Sequence, residues 1–329
     1  MADGHRVPVT TFPETKLLSL SPRPPYNFDA NFHKASHFPS SHTAWEEGFS
    51  WSTMLWEGEA IGLRFKNEGT TNRPRIGLTI FSRNRLGLTY VDGLVAEIEW
   101  RFNFDQDISE FTDRYRDDAH LRGPIKRWKG MKPVAGYSLY ESLMVYITLQ
   151  NATVRRTVQM LENLFLRFGQ RVLFDGRTLS VFWPPDAVAR STVDELRALK
   201  VGYRAKSVMR ISEQFASGSF DATALRTAPK EVVVQKLDDL YGIGPSSIQG
   251  ILFEDFYCLD ALDLVPPWEQ KIMSRLLYGQ RLVPVERILR FFKERYPGFE
   301  HLAFSYMWED LFWRRKRERI DWLEKEIRL

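Results

Sequence analysis

The fold is decided by residues 237–277, which read LDDLYGIGPSSIQGILFEDFYCLDALDLVPPWEQKIMSRLL. Leu237, Leu240 and Tyr241 give the first part of this stretch one apolar side, which is typical of a helix. The next three residues, Gly-Ile-Gly, predict a tight turn, because glycine tolerates positive φ and a close backbone approach. Pro245 suits the first position of a following helix, where its missing N–H costs nothing. The pattern therefore predicts a helix, a hairpin turn and a second helix, and then, after a connection, a third helix.

The start of the second of these helices is a predicted anion site. Its first N–H groups have no partner inside the helix and point outward, where they can bind a phosphate. Gly242, Ile243, Gly244, Ser246 and Ser247 are therefore candidates for binding a DNA backbone, as in a helix-hairpin-helix motif. The alternative interpretation is an ordinary turn between two packed helices, since the same Gly-apolar-Gly pattern also occurs in other helical proteins.

Composition restricts the class of protein. The 329 residues are 43% hydrophobic and carry a net charge of +4, which permits a nucleic-acid partner without requiring one. The single cysteine, Cys258, excludes a disulfide framework and a four-cysteine metal or iron–sulfur site within this chain. Because the sequence has no long apolar run and its start lacks the apolar core of a signal peptide, we expect an intracellular protein without membrane contact.

The hydrophobic period changes once along the chain. Residues 16–103 alternate apolar and polar side chains in short runs, which predicts an antiparallel sheet with strands at 16–20, 50–57, 60–66, 75–82, 85–90 and 94–102. From residue 108 the period is helical, residues 168–186 are predicted as a loop, and residues 301–326 are predicted as one helix. The expected fold class is α+β, with a β-rich N-terminal domain at 1–105 and a helical domain at 106–329 that contains the hairpin at 237–250. Three histidines, His33, His37 and His42, are expected to be solvated loop residues.

Four segments in order carry a family resemblance: YESLMVYITLQNATVRRTVQMLENLFLRFG, LRALKVGYRAKSV, LDDLYGIGPSS and ALDLVPPWEQKIMSRL. Together they resemble the helix-hairpin-helix DNA glycosylases over about residues 16–313, in particular the 3-methyladenine-DNA glycosylase II and 8-oxoguanine glycosylase branches. The resemblance implies an all-helical, two-lobed core behind the sheet. It implies a monomer that flips a damaged base out of duplex DNA and hydrolyses its N-glycosidic bond. It also implies no required cofactor or catalytic metal, with a monovalent cation at the hairpin as an option.

The same resemblance suggests which residues carry the chemistry. Aligned without gaps, Glu269 falls on the family's catalytic aspartate and Pro267 on the family's proline. The helix N-terminus is expected to keep Glu269 ionised, and the alternative is that Glu269 only complements the helix dipole. Asp263 is the second candidate carboxylate. Ser246 stands where bifunctional members carry a lysine, so a hydrolase without Schiff-base lyase activity is expected.

Further residues are implied for the wedge and the base pocket. Gln150 and Asn151 stand at the family's wedge, with an ordinary asparagine cap as the alternative. Trp308 and Trp268 are the candidates for the base pocket, where a flat ring could stack on a cationic base, and a core tryptophan is the alternative. In the segment Gly-Tyr-Arg-Ala-Lys, the tyrosine is expected to be packed, whereas Arg204 and Lys206 are expected to contact the DNA backbone.

These observations leave more than one function open. The first hypothesis is a monofunctional base-excision-repair glycosylase for damaged purines, most naturally alkylated ones. The alternatives are a glycosylase for oxidised purines and a non-catalytic DNA-binding protein on a glycosylase fold. A helical scaffold without affinity for DNA is a further hypothesis, which predicts that no salt-dependent binding will be found.

Overall fold

The computed structural model describes residues 9–327, which form an α+β fold, as predicted. The strands are β1 (Val9–Thr11), β2 (Glu14–Leu20), β3 (Thr43–Glu46), β4 (Phe49–Trp56), β5 (Glu59–Asn67), β6 (Ile76–Ser82), β7 (Gln170–Phe174) and β8 (Arg177–Val181). The helices are α1 (Phe28–Phe32), α2 (Leu88–Arg101), α3 (Ser109–Tyr115), α4 (Arg122–Trp128), α5 (Leu139–Leu149), α6 (Val154–Phe168), α7 (Pro185–Ala189), α8 (Val193–Ala198), α9 (Ala205–Ala216), α10 (Lys230–Asp238), α11 (Pro245–Glu254), α12 (Pro267–Tyr278), α13 (Val285–Arg295), α14 (Glu300–Arg315) and α15 (Asp321–Glu326). Within the described residues, no helix is long and apolar enough to cross a membrane.

The larger sheet has five antiparallel strands in the order β2-β6-β5-β4-β3. The strands predicted at 85–90 and 94–102 are wrong, because residues 88–101 form helix α2. Val91, Leu94 and Ile98 recur at helical spacing and are buried in one core cluster with the central strands of the sheet. The N-terminal region is therefore a sheet covered by a helix.

The second sheet was not foreseen from the sequence. Strand β1 pairs in parallel with β7, and β7 pairs antiparallel with β8 in a hairpin. The turn of this hairpin is Asp175-Gly176, and both residues have positive φ. An Asp-Gly pair between two apolar segments is typical of a hairpin, so the prediction of a loop at 168–186 is wrong. The region 106–329 is therefore not all-helical. Thr53 of β4 donates a hydrogen bond to the carbonyl of Ser180 at 2.6 Å, which joins the two sheets.

The helices bury two separate hydrophobic clusters. One contains residues of α3, α4 and α12 to α15, and the other contains residues of α5 to α11. The helix predicted at 301–326 is two helices, because the chain turns back at 316–320. This turn buries Leu323 and lets Arg315 pair with Glu324 at 2.6 Å.

A buried ion network joins the sheet region to the helices. Arg101 at the end of α2 binds Glu97 at 2.7 Å and Glu141 of α5 at 3.0 Å, and all three are buried. Arg226 completes the network at 2.7 Å from Glu97. Glu141 also forms a capping box with Ser138 at the start of α5. This network fixes α5 relative to the sheet region.

Candidate active site

Glu269 lies on the first turn of α12, which begins after Pro266. Its side chain is half-buried, and within residues 9–327 it makes no hydrogen bond that the structure records. Partial burial, followed by the negative charge of Glu254, raises the pKa of Glu269 to about 7. Burial and this neighbouring anion therefore act against the helix N-terminus, which is expected to keep Glu269 ionised.

The loop before α12 is held in place by Gln249 of α11. Its amide oxygen accepts hydrogen bonds from the backbone N–H groups of Asp263 at 2.7 Å and Leu264 at 2.8 Å, and its amide nitrogen donates to the carbonyl of Leu264 at 3.0 Å. Gln249 is itself buried, so this anchor is rigid. Asp263, the second candidate carboxylate, is exposed on this loop.

Glu254 lies at the C-terminal end of α11 and binds side chains from two other segments. The hydroxyl of Tyr146 on α5 donates to Glu254 Oε2 at 2.8 Å, and His37 Nε2 lies 3.7 Å from Glu254 Oε1. A methyl group on Gly250 would overlap the Tyr146 hydroxyl, so glycine at this position makes room for the contact. We refer to Glu254, Glu269, Tyr146 and His37 as the carboxylate cluster.

The segment after α1 closes one side of this cluster. Lys34 is buried, donates to the carbonyl of Lys132 at 3.0 Å, and has its pKa lowered by burial to about 8. Ser36 donates to Glu309 of α14. His37 is 45% exposed, as predicted for a loop histidine. His42 is not solvated but buried, and burial lowers its pKa to about 3, so it is neutral.

The two candidate pocket tryptophans differ in their surroundings. Trp308 is only 9% exposed and lies between Phe304 and Phe312, with ring centroids at 5.8 and 5.0 Å, which is the alternative of a core tryptophan. Trp268, directly before Glu269, is 39% exposed and meets Trp308 edge to face at 5.2 Å. Trp268 is therefore the ring available for stacking, with Trp308 behind it.

The turn between α10 and α11 has one strained and one open glycine. Gly242 has φ +86°, and a methyl group there would overlap the hydroxyl of Ser207. Gly244 has an extended backbone, and no other described atom lies within 4 Å of where its Cβ would be. Ile243 and Ser247 are buried, so only their backbone groups can face a ligand, whereas Ser246 is exposed.

The turn between α5 and α6 lies against this glycine turn. Gln150 donates to the carbonyl of Gly242 at 2.6 Å, and Asn151 donates to the hydroxyl of Tyr203 at 3.2 Å. Thr153, not Asn151, caps the start of α6, but Asn151 directly follows Gln150, the C-cap of α5, so an ordinary cap at the end of α5 remains the alternative for Asn151. Asn151 is exposed at φ +48°. We refer to Gln150, Asn151, Tyr203 and the 239–244 turn as the turn surface.

Two expectations for the segment at 202–206 are reversed. Tyr203 is 61% exposed rather than packed, and it belongs to the turn surface. Arg204 is buried and donates to the carbonyl oxygens of Ile147 and Gln150, so it supports the end of α5 and is not free to bind DNA. The positive charge of Arg204 suggests a phosphate ligand, because the sequence does not show that unpaired carbonyl groups at the end of α5 lie beside this residue.

The sequence does not identify Tyr146, Glu254 and His37 as residues of the site. Nothing local singles them out, because each is an ordinary residue of an apolar helix, a helix end or a loop. The hydrogen bond of Tyr146 with Glu254 and the ion pair of His37 with Glu254 join positions more than a hundred residues apart. Among residues 9–327 there is also no group of three or more His, Cys, Asp or Glu side chains arranged to hold a metal ion.

Comparison with known proteins gives relatives of one kind. No protein-family model matches the sequence. A DNA-3-methyladenine glycosylase of Bacillus subtilis is 23% identical over 155 residues, which are 47% of this chain and 51% of the relative. The chain thus spans about half the length of that relative. A probable N-glycosylase/DNA lyase of Methanothermobacter thermautotrophicus is 23% identical over 262 residues, 73% of this chain and 80% of the relative.

Solved structures share the fold. The 3-methyladenine DNA-glycosylase of Archaeoglobus fulgidus matches with a TM-score of 0.72 at 16% identity, over 90% of this chain and 99% of its own. An 8-oxoguanine glycosylase/lyase of Clostridium acetobutylicum, in complex with double-stranded DNA, matches with a TM-score of 0.65 at 15% identity, over 94% and 99%. These relatives and solved structures are 3-methyladenine and 8-oxoguanine glycosylases and a probable N-glycosylase/DNA lyase, which confirms that this chain resembles DNA glycosylases.

Proposed function

We propose that this protein is a base-excision-repair DNA glycosylase that extrudes a damaged purine from duplex DNA and hydrolyses its N-glycosidic bond. The observation that carries the proposal is Glu269, a half-buried carboxyl without a hydrogen-bond partner among the described residues, directly after the exposed ring of Trp268. The glycosylase relatives and the shared fold support it. We also propose that the protein has a domain boundary at about residue 105 and that it is a monomer.

Hydrolysis of an N-glycosidic bond develops positive charge on the sugar, so an anion held nearby stabilises the transition state. Glu269 would supply this anion in a site where water is partly excluded and its charge is poorly screened. Because partial burial and Glu254 raise the pKa of Glu269 to about 7, the anion is fully present only above neutral pH. The same burial that makes the charge effective therefore limits the pH range in which it exists.

The DNA would lie across the turn surface. The free N–H groups at the start of α11 and the open space at Gly244 suit a phosphate, and a monovalent cation could assist at the carbonyl groups of the same turn. Gln150 and Asn151, supported by Tyr203, would enter the base stack as the wedge. The extruded base would then stack on Trp268.

The proposed reaction ends at the abasic sugar. A Schiff-base route needs an amine at the sugar, and the position where the resemblance implies one is the exposed hydroxyl of Ser246. Lyase activity is named for one relative and for the Clostridium acetobutylicum structure, and it is not part of the activity proposed for this protein. A DNA substrate also implies that the protein acts inside the cell.

A panel of duplexes carrying alkylated, oxidised or deaminated bases tests the proposal. Wild-type protein should release a base and leave an abasic site that breaks only after alkali. Glu269→Gln should lose this activity, whereas Asp263→Asn should retain it. If Asp263→Asn alone lost activity, the catalytic carboxylate would be Asp263. If wild-type protein bound duplex in a salt-dependent manner yet released no base, the non-catalytic DNA-binding hypothesis would replace the proposal.

A further inference from the structure

Gln150 is bound through both its side chain and its backbone to other segments of the chain. It is the C-cap of α5, and its side-chain amide donates to the carbonyl oxygen of Gly242 at 2.6 Å. Its own carbonyl oxygen accepts a hydrogen bond from Arg204, which also donates to the carbonyl of Ile147 at 3.1 Å. Arg204 is buried, so this support is held in place. Gln150 therefore joins the end of α5 to the segment before α9 and to the glycine turn.

The hydrogen bond of Gln150 with Gly242 connects the two turns of the turn surface. Among residues 9–327, no other recorded hydrogen bond joins residues 149–153 to residues 239–244. Gly242 has φ +86°, and the side chain of Ser207 on α9 fills the space beside its Cα. The glycine turn is thus confined by Ser207 and by Gln150.

Asn151, the next residue, lies in different surroundings. It is exposed, and the hydroxyl of Tyr203 that accepts its hydrogen bond at 3.2 Å belongs to a ring that is itself 61% exposed. The Tyr203 ring rests against the guanidinium of Arg204, 4.6 Å from its centroid. The Gln150 side chain, by contrast, is half-buried and bound to a backbone carbonyl. Within the wedge, Asn151 is therefore placed as the tip and Gln150 as its anchor.

We propose that Gln150 is a positioning residue that fixes the wedge relative to the glycine turn, so that a phosphate bound at the start of α11 places Asn151 for base extrusion. A wedge that unstacks bases must be held against the part of the protein that holds the strand. The hydrogen bond with Gly242 supplies this connection, because Gly242 lies just before α11. The effect on extrusion rests on the proposed function, whereas the anchoring of the glycine turn does not.

The anchoring is tested in the full-length protein without DNA. Gln150→Met keeps the length of the side chain and removes the donor. The NMR resonances of the peptide group between Gly242 and Ile243 should therefore shift, because the Gly242 carbonyl loses its partner. Asn151→Ala should leave these resonances in place, since Asn151 is bound to Tyr203 instead. Gln280→Met is the matched control, because Gln280 is exposed and no recorded hydrogen bond of residues 9–327 involves its side chain.

The effect on extrusion is measured with a duplex that carries 2-aminopurine beside an alkylated purine, since its fluorescence rises when the neighbouring base leaves the stack. With the duplex saturated by protein, Gln150→Met should slow this rise about fivefold to tenfold, the scale of one hydrogen bond. Affinity for the duplex should change by less than about threefold, because the phosphate contacts are kept. Gln150→Lys, which restores a donor for the Gly242 carbonyl, should recover the rate.

The expected result is a slower extrusion step at unchanged affinity, which a merely structural role would not produce. Unchanged resonances of the Gly242 peptide group in Gln150→Met, or extrusion as fast as in wild type, overturn the proposal. An equal loss of rate and affinity also overturns it, because a residue that only binds DNA would behave in this way. If Gln150→Met does not fold, Gln150→Ala replaces it with the same expectations. If wild type binds the duplex without any rise in fluorescence, the proposed function fails, and the resonances still decide whether Gln150 holds the turn.

Discussion

Replacing Glu269 by glutamine should stabilise the folded protein at alkaline pH. The side chain is half-buried without a recorded hydrogen bond in residues 9–327, so the neutral amide loses no partner. In the unfolded chain the carboxyl titrates near 4.5, and in the folded protein partial burial and Glu254 raise its pKa to about 7. The folded state therefore binds more protons between these two values, and stability falls as pH rises through this window.

The size of this stabilisation follows from the pKa values of Glu269 in the unfolded and folded states. At about 1.4 kcal/mol for each pH unit, the rise from 4.5 to about 7 corresponds to about 3 kcal/mol, and solvent screening of a half-buried group makes this an upper bound. Glutamine carries no charge at any pH. The gain in the free energy of unfolding should therefore be near zero at pH 4.5 and reach about 2–3 kcal/mol at pH 8.

Urea unfolding of wild type and Glu269→Gln, followed by tryptophan fluorescence at pH 5 and pH 8, measures this difference. Glu286→Gln is the matched control, because Glu286 also lies on the first turn of a helix that begins after a proline, but it is exposed. It should change stability by less than about 0.5 kcal/mol at either pH. A variant that is no more stable than wild type at pH 8, or equally more stable at both pH values, would show that the charge of Glu269 does not destabilise the folded protein.

The remaining predictions concern the glycine turn, the carboxylate cluster, the buried ion network and the pH dependence of the reaction. Gly244→Ala should change the free energy of unfolding by less than about 1 kcal/mol, because no neighbour occupies the space, yet weaken binding to duplex DNA in a salt-dependent manner. Gly242→Ala should destabilise the protein by more than that, since Gly242 has positive φ and its new methyl group would meet Ser207; equal unfolding curves for the two variants would contradict both expectations. Gly250→Ala should displace the Tyr146 hydroxyl and alter the pH profile of base release, whereas an unchanged profile would mean that Tyr146 does not support Glu254. Arg101→Leu should lower the free energy of unfolding by about 3–5 kcal/mol, because buried Glu97 and Glu141 lose their shared partner, and a loss below about 1 kcal/mol in urea unfolding would count against this. Single-turnover base release should rise with pH and level off above about 7, as Glu269 ionises, and a rate that falls over this range would indicate that the protonated acid is the active form.

The sequence predicts those parts of the fold that depend on interactions between residues close together in the chain. The capping boxes of Ser138 with Glu141 and of Thr192 with Glu195 involve residues three apart, so the sequence displays them, and the helices begin where they indicate. Helix α2 was mistaken for strands because its aromatic and β-branched residues favour strands, and only packing on the sheet selects the helix. The pairing of β1 with β7 is non-local and leaves no signal in either segment.

The residues of the candidate site also fall into those that the sequence predicts and those that it does not. Glu269 and the glycine turn could be named because they lie within one continuous stretch with recognisable spacing. Tyr146, His37 and Glu254 could not, since the fold alone brings them together. The raised pKa of Glu269 could not be predicted for the same reason, because the helix N-terminus is visible in the sequence whereas burial and the neighbouring Glu254 are not.

The proposed function depends above all on Glu269 acting as the catalytic carboxylate. It is tested most directly by single-turnover release of an alkylated purine from duplex DNA at pH 8, where the Glu269 anion is present, by wild type and Glu269→Gln. The expected result is base release by wild type and a rate lowered about a hundredfold or more in the variant, comparable to the loss of one key electrostatic group in other enzymes. Equal rates for the two proteins, with the released base identified, would show that Glu269 is not the catalytic carboxylate.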